Sequence, residues 1–429
     1  MTDRTRVVIT GRGVICAAGT EPNAIWRSLC AGRSSVGRVQ QWDTTGWPRP
    51  LAGEIRDLDP RALVADRKLH KLVQRTDLLG LYSAGRAIAE AGLLPHRDAL
   101  AAAAAQAFND RTGIYVGCGG ASYHNQYDFL PLLGAAAGDL RRFGRELTAT
   151  VNPMWLLRVL PNNVLCHLGI RYGFTGANAC LTTHSVSGLL ALTEAAAALR
   201  AGEAERAVVV GHDAPIEPEG ILYYHRLGLL TADAVRPFDA ERSGTLLGEG
   251  ATALVVEAEA EAVARGARIL GEVLGGACTT EAQGPLAVRD DGDGAARAID
   301  CALADAGIAA AAVGMIVAHG NGGRQSDAAE AAAIRRVFGA AAPPVTAYKW
   351  AFGHTLAASG MIDTVLALES LQAGVVPGIA TLRRCDPALG DFPVSATAGI
   401  PRSDVALVIG RGFAGTAAAV LVRAQPGAR

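Results

Sequence analysis

A serine stands where a strand-like segment of the sequence gives way to an alanine-rich helix. The segment reads CLTTHSVSGLL over residues 180–190, and Ser185 would lie at the start of the helix. At a helix N-terminus the free backbone N–H groups and the helix dipole stabilise negative charge. The position therefore suits a nucleophile and the oxyanion that forms when it attacks a carbonyl group, but serine is also a common helix N-cap. From this stretch alone both roles stay open.

Two histidines and a lysine lie in glycine-containing segments of the second half of the chain. His319 follows an apolar run in AHGNGGRQSDAAE, and YKWAFGHTLAASGMID supplies Lys349 and His354. Imidazole titrates near neutral pH and can act as a general acid or base. A histidine at a strand end beside glycines is well placed to face a cleft, although a loop histidine with a structural role fits the pattern too. A buried lysine needs an acidic partner, for which Asp363 is the candidate.

The other glycine-rich segments do not indicate a nucleotide site. GRGVIC near the N-terminus lacks the third glycine of a dinucleotide fingerprint, and no segment contains the GK[ST] of a P-loop. The segment VRPFDAERSGTLLGEGATALVVE, residues 235–257, is dense in glycines and in paired charges ahead of a strand. Taken alone, it predicts a structural turn.

An α/β framework must position these residues. Short β-rich apolar runs alternate with alanine- and leucine-rich helical stretches, which indicates helices layered on a sheet. The strand-like runs are residues 7–10, 113–117, 207–211, 251–257, 315–318 and 405–410, and the helical stretches include 189–199 and 327–338. A second strand-like run at 267–273 predicts an internal duplication, with halves 1–260 and 261–429. The weakly periodic region 105–165 is expected to form substrate-shaping or subunit-contacting loops.

Composition and charge narrow the class of protein. The 429 residues are 50% hydrophobic and 19% charged, as in a compact α/β protein. Forty basic against 41 acidic residues give a net charge of −1, so no nucleic-acid partner is expected. No apolar run reaches the roughly 18 residues of a membrane span and no signal peptide is recognisable, so we expect a cytoplasmic protein without a membrane partner. Eight cysteines without a CxxC pair indicate buried thiols of a reducing compartment, and no metal or redox cofactor is expected.

Taken together, these segments closely resemble the β-ketoacyl-acyl-carrier-protein synthases, the condensing enzymes of fatty acid and polyketide synthesis. The resemblance covers nearly the whole chain, in the order VVITGRGVICAAG, LPNNVLCHLGIRYGFTGANACLTTHSVSG, RPFDAERSGTLLGEGA, AHGNGG, YKWAFGH and GRGFAGTAA. It implies an α/β protein of the thiolase fold, in which two similar βαβαβαββ halves form a five-layer αβαβα sandwich. It also implies a dimer.

The resemblance assigns roles to the residues singled out above. Ser185 falls on the nucleophilic cysteine of the family, which stands in a Thr-Ala-Cys context where this chain has Thr-His-Ser. His319 and His354 match the two motif histidines, and Lys349 and Asp363 match the motif lysine and the acid paired with it. Asp327 and Glu330 match the two acids behind the first histidine, and Phe413 matches the gating phenylalanine. In the family the backbone N–H groups of the nucleophile and of this phenylalanine form the oxyanion hole.

A hydroxyl in place of the thiol of the family changes the expected chemistry. A free thiol has a pKa of about 8.5 and ionises readily at a helix N-terminus, whereas a serine hydroxyl needs an adjacent general base. His354 or His319 would have to accept the proton of Ser185. His184 is adjacent in sequence, but neighbouring side chains usually point apart, so we expect it to point away. An oxygen ester is also a poorer acyl donor to a carbon nucleophile than a thioester, which disfavours condensation.

Three functions fit this site. In the first, Ser185 takes an acyl group from an acyl carrier protein and transfers it to an acceptor. In the second, the histidines support decarboxylative condensation of malonyl units, although Asn321 and Trp350 replace hydroxyl residues of the family motifs. In the third, the chain is a non-catalytic partner subunit, like a chain-length factor. The retained histidines, lysine and phenylalanine favour an enzyme, with acyl transfer ahead of condensation.

The enzymatic functions imply an acyl carrier protein as partner and no bound cofactor, because the substrate is carried on the phosphopantetheine of that protein. Its acidic helix needs a basic patch. Arg67, Lys68, Lys71 and Arg75 occur at helical spacing in DRKLHKLVQR, a region that resembles the carrier-docking segment of the family. A solvated helix face is the alternative. The second expected partner is another copy of the chain or a ketosynthase homologue, in a homodimer or a heterodimer.

Overall fold

The computed structural model describes residues 4–119 and 129–425. Ten strands form one sheet in the order β10-β9-β11-β12-β8-β1-β7-β6-β4-β5, and β2 and β3 form a separate hairpin. The strands are β1 Val7–Cys16, β2 Gly37–Arg38, β3 Leu51–Ala52, β4 Thr112–Cys118, β5 Asn178–Leu181, β6 Arg206–Asp213, β7 Gly250–Ala258, β8 Gly271–Thr280, β9 Met315–Val317, β10 Val345–Thr346, β11 Val405–Arg411 and β12 Thr416–Ala424.

Helices cover both faces of this sheet. They are α1 Pro22–Cys30, α2 Pro60–Leu63, α3 Arg75–Glu90, α4 Leu93–Asp98, α5 Ala102–Asp110, α6 Leu130–Ala135, α7 Leu140–Thr150, α8 Trp155–Val159, α9 Asn163–Tyr172, α10 Ser187–Arg200, α11 Pro218–Arg226, α12 Glu259–Ala264, α13 Asp293–Ala306, α14 Arg324–Phe338, α15 Lys349–Phe352 and α16 Ser359–Ala373. Short 3-10 turns lie at His184–Val186, Leu356–Ala358 and Phe413–Gly415.

The sheet consists of two five-stranded halves with the same topology. In the first half β5 and β6 pair parallel to β4, and β7 then pairs antiparallel to both β6 and β1. In the second half β10 and β11 pair parallel to β9, and β12 pairs antiparallel to both β11 and β8. The halves join where β1 pairs with β8 over three residues. This arrangement confirms the predicted pair of βαβαβαββ units.

Two buried helices, α10 and α16, fill the layer between the half-sheets. Helix α10 packs against β4 and β6 of the first half and against β8 and β12 of the second. Their close approach requires glycine, because a Cβ atom on Gly188 would lie 2.5 Å from the Ala357 carbonyl oxygen and one on Gly360 would lie 2.4 Å from Leu189 Cγ. With α3 and α13 on the outer faces, the helices and half-sheets form the five-layer sandwich expected from the resemblance.

The alternation of apolar runs predicted the framework well, with two corrections. The six strand-like runs fall on β1, β4, β6, β7, β9 and β11, but the run predicted at 267–273 becomes a strand only from Gly271. The described part of region 105–165 consists mostly of α5, β4, α6, α7, α8 and the start of α9, and is not the set of loops that we expected. Residues 120–128 of that region lie outside the described part of the chain.

The cysteines and the helices add two observations. All eight cysteines are free, but Cys30, Cys278 and Cys301 are exposed, so the expectation that the cysteines are buried holds for only some of them. Cysteine is a small hydrophobic residue, and its burial depends on the face of the element on which it falls. In the part of the chain that the structure describes, no helix combines the length and the hydropathy needed to cross a membrane.

Candidate active site

The serine lies at the point where the two central helices begin. Strand β5 ends at Leu181, the 3-10 turn His184–Val186 follows, and α10 begins at Ser187. The Ser187 hydroxyl accepts a hydrogen bond from the Thr183 N–H (2.8 Å) and contacts the Cys118 carbonyl oxygen (3.0 Å), which ties the turn to the end of β4. The Ser185 side chain is buried at this rigid turn.

His184 adopts a left-handed backbone conformation. Its φ is +58°, which is uncommon for a residue other than glycine and is concentrated at functional sites. The imidazole Nδ1 lies 2.9 Å from Ser185 Oγ, so the expectation that these neighbouring side chains point apart is wrong. The expectation rested on regular backbone geometry, and the positive φ departs from that geometry.

A second imidazole contacts the serine hydroxyl from the segment that precedes the other central helix. His354 Nε2 lies 3.1 Å from Ser185 Oγ, and His354 precedes the turn Leu356–Ala358 at the start of α16. The pseudo-symmetry of the fold thus brings together residues 169 positions apart. Within the described residues, the buried His354 Nδ1 has no hydrogen-bond partner.

His319 lies beside His354 and faces the same cavity as the serine. The two rings are nearly perpendicular, with centroids 5.0 Å apart, and both line a cavity of about 410 Å³ together with Ser185. The backbone N–H of Arg411 donates to His319 Nδ1 at 3.3 Å. In a neutral His319 the proton therefore resides on Nε2, which makes this nitrogen a hydrogen-bond donor.

The two acids predicted behind His319 hold the backbone of its loop. Glu330 accepts hydrogen bonds from the N–H groups of His319 (2.7 Å) and Gly320 (2.9 Å). Asp327 accepts from the N–H groups of Phe238 (2.8 Å) and Gly322 (3.2 Å). Both carboxyl groups are fully buried, and burial raises the pKa of Asp327 to about 7. These contacts give the acids a positioning role.

The structure places Asp363 beside the buried motif lysine. Lys349 Nζ lies 3.1 Å from Asp363 Oδ2, and both side chains are buried.

The environment of the site keeps its histidines uncharged. Burial lowers the pKa of His354 and of His319 well below the usual value, and the charge of Lys349 lowers both further. Burial alone lowers the pKa of His184, to about 4. All three imidazoles are therefore neutral at pH 7.

Three aromatic rings separate the cavity of the serine from a second cavity. The Phe413 ring lies 4.6 Å from His184 and 5.9 Å from Tyr224, between centroids. All three residues line both the 410 Å³ cavity and a further cavity of about 350 Å³. We call His184, Tyr224 and Phe413 the ring partition. The Phe413 loop packs on the serine turn, because a Cβ atom on Gly412 would lie 3.7 Å from the Ser185 backbone nitrogen.

Sequence reasoning missed Tyr224. Its hydroxyl oxygen lies 2.7 Å from His184 Nε2, and it comes from α11, which follows β6. No local pattern singles out one tyrosine in ILYYHRLG, so the sequence carried no signal for this contact. Arg411 was missed for a similar reason, because its contact with His319 uses a backbone N–H group that every non-proline residue has.

Three of the four basic residues predicted as a docking patch are exposed to a partner, and the fourth is engaged in an ion pair. Arg67, Lys68 and Lys71 are exposed, but Arg75 forms an ion pair with the buried Glu249 (Nε to Oε2, 2.6 Å). The segment also lacks a continuous helix, since the 3-10 turn Leu69–Lys71 ends before α3 begins at Arg75. The prediction that all four share one helix face is therefore wrong. The described residues contain no cluster of His, Cys, Asp and Glu that could hold a metal ion.

Comparison with known proteins agrees with the fold and the order of the motifs. Residues 4–262 match the family described as Beta-ketoacyl synthase, N-terminal domain, and residues 270–383 match Beta-ketoacyl synthase, C-terminal domain. The tetracenomycin polyketide synthase ketoacyl synthase beta subunit of Streptomyces glaucescens is 32% identical, over 97% of this chain and 98% of the relative.

Two solved structures are similar over nearly the whole chain. The ishigamide ketosynthase/chain length factor has a TM-score of 0.86 and 30% identity, covering 99% of this chain and 100% of that chain. A type II polyketide synthase acyl-carrier protein in complex with its ketosynthase bound to the hexaketide has a TM-score of 0.83 and 25% identity, with coverage of 99% and 100%. With both domains matched in order, this chain belongs to the β-ketoacyl synthase family.

Proposed function

We propose that the protein is an acyltransferase of polyketide or fatty acid biosynthesis, which accepts an acyl group on Ser185 from an acyl carrier protein and transfers it to an acceptor. One observation carries this proposal: Ser185 Oγ lies between two neutral imidazole nitrogens, at 2.9 Å and 3.1 Å. A serine hydroxyl becomes a nucleophile when an adjacent base removes its proton during attack. The site supplies that base on either side of the oxygen.

The rest of the cavity suits an acyl thioester. His319 can donate from Nε2, and the Phe413 loop lies against the serine turn, where backbone N–H groups of Ser185 and Phe413 would bind an oxyanion. Lys349, Asp363, Asp327 and Glu330 act through the position and charge state of the histidines. The phosphopantetheine arm would enter through the 410 Å³ cavity and present its thioester to Ser185.

Decarboxylative condensation is the second candidate, because His319 and His354 face one cavity with their rings 5.0 Å apart. That arrangement can hold a malonyl thioester carbonyl. A carbon nucleophile would then have to displace a serine ester, which is less electrophilic than the thioester of a cysteine enzyme. For this reason we rank acyl transfer first. A chain-length-factor-like subunit is the third candidate, favoured by the similarity to a ketosynthase/chain length factor structure.

The partners follow from the family. An acyl carrier protein delivers the substrate on phosphopantetheine, so the protein itself needs no bound cofactor. The chain pairs with a second copy or with a ketosynthase homologue, and we place the assembly in the cytoplasm, where a carrier protein would meet it. The similar structures include a ketosynthase with a chain length factor and a ketosynthase with its carrier protein.

Intact-mass spectrometry tests the acylation. We expect an acyl adduct on the wild-type protein after incubation with acyl carrier substrates, and none on Ser185→Ala. Ser185→Cys should form the adduct and gain condensing activity that the wild type lacks. If the wild type takes up none of the acyl groups offered and instead forms a stable complex with a cysteine-bearing ketosynthase, the chain-length-factor function is correct.

Carrier docking is tested by charge reversal at the exposed cations. Changing Arg67, Lys68 and Lys71 together to Glu should raise the apparent KM for carrier-bound substrate about tenfold or more, because an acidic carrier helix loses its favourable charges. The rate with a short pantetheine mimic should stay unchanged. An equal loss with both substrates would exclude this docking surface. Arg75 is unsuitable for the test, because its loss would leave the buried Glu249 without its cation.

A further inference from the structure

The hydrogen bonds around Ser185 extend beyond the two imidazoles to a tyrosine. Tyr224 Oη lies 2.7 Å from His184 Nε2, His184 Nδ1 lies 2.9 Å from Ser185 Oγ, and Ser185 Oγ lies 3.1 Å from His354 Nε2. Four groups thus form one chain of hydrogen bonds. Both ring nitrogens of His184 have a partner in it, whereas within residues 4–119 and 129–425 His354 has a partner at only one nitrogen.

The two imidazoles differ in how well they can hold an added proton. A protonated His354 would carry a buried Nδ1–H without an acceptor among the described residues, close to the positive charge of Lys349. A protonated His184 would donate Nε2–H to the Tyr224 oxygen, and burial is the one cause that lowers its pKa. A buried donor without an acceptor is costly, so the proton is better placed on His184.

We propose that His184 is the general base that activates Ser185, and that Tyr224 positions its ring and holds the proton at Nε2. This inference rests on the proposed acylation of Ser185. His184 touches the reacting oxygen and is a catalytic residue, whereas Tyr224 acts through His184 and is a positioning residue.

The proton balance of the acylation step is complete within these groups. Ser185 Oγ attacks the carbonyl carbon of the carrier-bound thioester, an O–C bond forms, and the hydroxyl proton moves to His184 Nδ1. The imidazolium keeps its Nε2–H on the Tyr224 oxygen while the tetrahedral oxyanion exists. The C–S bond then breaks, the thiolate of the carrier takes the proton from Nδ1, and His184 returns to its neutral form.

The left-handed turn is what makes this geometry available. A residue at a φ of +58° directs its side chain differently from one in an extended strand or a helix, and His184 thereby reaches the hydroxyl of the next residue. Contacts with Tyr224 and Phe413 hold the ring from the far side, at centroid distances of 6.3 Å and 4.6 Å. An imidazole fixed in this way needs no reorganisation before it accepts the proton.

A fluorophosphonate probe tests the base without a carrier protein. The probe forms an O–P bond to an activated serine and releases fluoride, and labelling at Ser185 is read by intact mass. We expect His184→Ala and His184→Asn to label about 100-fold more slowly than the wild type, the usual scale of general-base catalysis. His354→Ala should slow the labelling less than either His184 variant, because His184 remains to accept the serine proton. Equal labelling of the wild type and both His184 variants, or no labelling of the wild type, would overturn the proposal.

The cysteine variant separates a catalytic role from a structural one. In Ser185→Cys the thiol ionises without a dedicated base, so adding His184→Ala should lower the rate of acylation by less than about fivefold. If His184 had only a structural role, His184→Ala would lower the rate of acylation equally in the Ser185 protein and in the Ser185→Cys protein.

The Tyr224→Phe variant tests the positioning residue. This change keeps the ring but removes the acceptor, so the imidazolium is less stable and the acid limb of the pH–rate profile should move to lower pH. If the acid limb does not move, Tyr224 does not stabilise the protonated His184.

These experiments distinguish the proposed general base from the proposed acyl transfer. If probe labelling depends on His184 but no carrier substrate forms an acyl adduct, His184 is the base and the acyl-transfer function is rejected. An acyl adduct that forms at the same rate without His184 would keep the acyl transfer and reject the base.

Discussion

A buried ion pair contributes to the electrostatics of the active site. Lys349 and Asp363 are both buried, and Asp363 Oδ1 has no hydrogen-bond partner among the described residues. Burial keeps His319 and His354 neutral, and the lysine charge adds to this effect because it lowers the pKa of both further. In return, Lys349 donates to Asp363 Oδ2, and its charge also lowers the pKa of the buried Glu330. The pair therefore links catalytic protonation states to stability.

Removing one member of this pair should cost stability. Asp363→Ala removes the hydrogen-bonded carboxylate from a buried ammonium group, and we expect the free energy of unfolding in urea to fall by about 3–5 kcal/mol. The double variant Lys349→Met with Asp363→Leu removes both charges and should recover most of that loss. If the double variant is as unstable as the single one, packing and not charge explains the effect.

At the scale of elements, the site depends on how closely α10 and α16 approach each other. Gly188 and Gly360 lie at the contact, where no Cβ atom fits without movement of a neighbour. The turns that carry Ser185 and follow His354 lie at the adjoining helix ends. A change in the helix spacing would therefore alter the distance of 3.1 Å between the serine oxygen and the imidazole.

Gly188→Ala tests this dependence. The added methyl group would meet the Ala357 carbonyl oxygen, and we expect a destabilisation of about 1–3 kcal/mol with a loss of Ser185 acylation below the melting temperature. The matched control is Gly144→Ala on α7, where nothing lies within 4 Å of an added Cβ. It should raise stability by about 0.5–1 kcal/mol, because alanine favours a helix. Normal acylation in folded Gly188→Ala would show that the spacing is not critical.

Local sequence patterns predicted the strands and helices, but they could not predict contacts between residues that are distant in sequence. The strand-like runs and the helix at 327–338 follow from periodicity, which a sequence displays directly. The approach of His354 to Ser185 could be expected only from the family resemblance. The contact of His184 with Tyr224 depends on one backbone dihedral and on a helix 40 residues away in sequence. Arg75 was assigned to the surface because its spacing gave no sign of the buried Glu249.

At the scale of the whole molecule, exposed apolar side chains are concentrated in residues 130–160, next to an edge of the sheet. Strand β5 is the last strand of the sheet and pairs only with β4 among the described strands. The segment after α8 packs on it, since the Pro161 carbonyl oxygen contacts Cys118 and Cys180. Helices α6 to α8 and the two residues that flank α8 expose Leu130, Leu133, Leu140, Met154, Leu156, Leu157 and Leu160. Such a surface is typical of a subunit interface.

We expect this face to bind the second subunit. Leu156→Asp with Leu157→Asp should prevent dimer formation, measured by sedimentation equilibrium, because charges in an apolar interface are desolvated without partners. Ile400→Asp is the matched control, since Ile400 is exposed at a distant point of the sequence and its change should leave the dimer intact. A doubly substituted protein that stays dimeric would place the interface elsewhere.

The ring partition links the serine site to the second cavity. One of its rings, His184, contacts the serine hydroxyl, and all three rings line both cavities. An acyl chain on Ser185 would have to displace these rings to extend into the cavity of about 350 Å³. The length of acyl chain that Ser185 accepts would then depend on the same imidazole that contacts its hydroxyl.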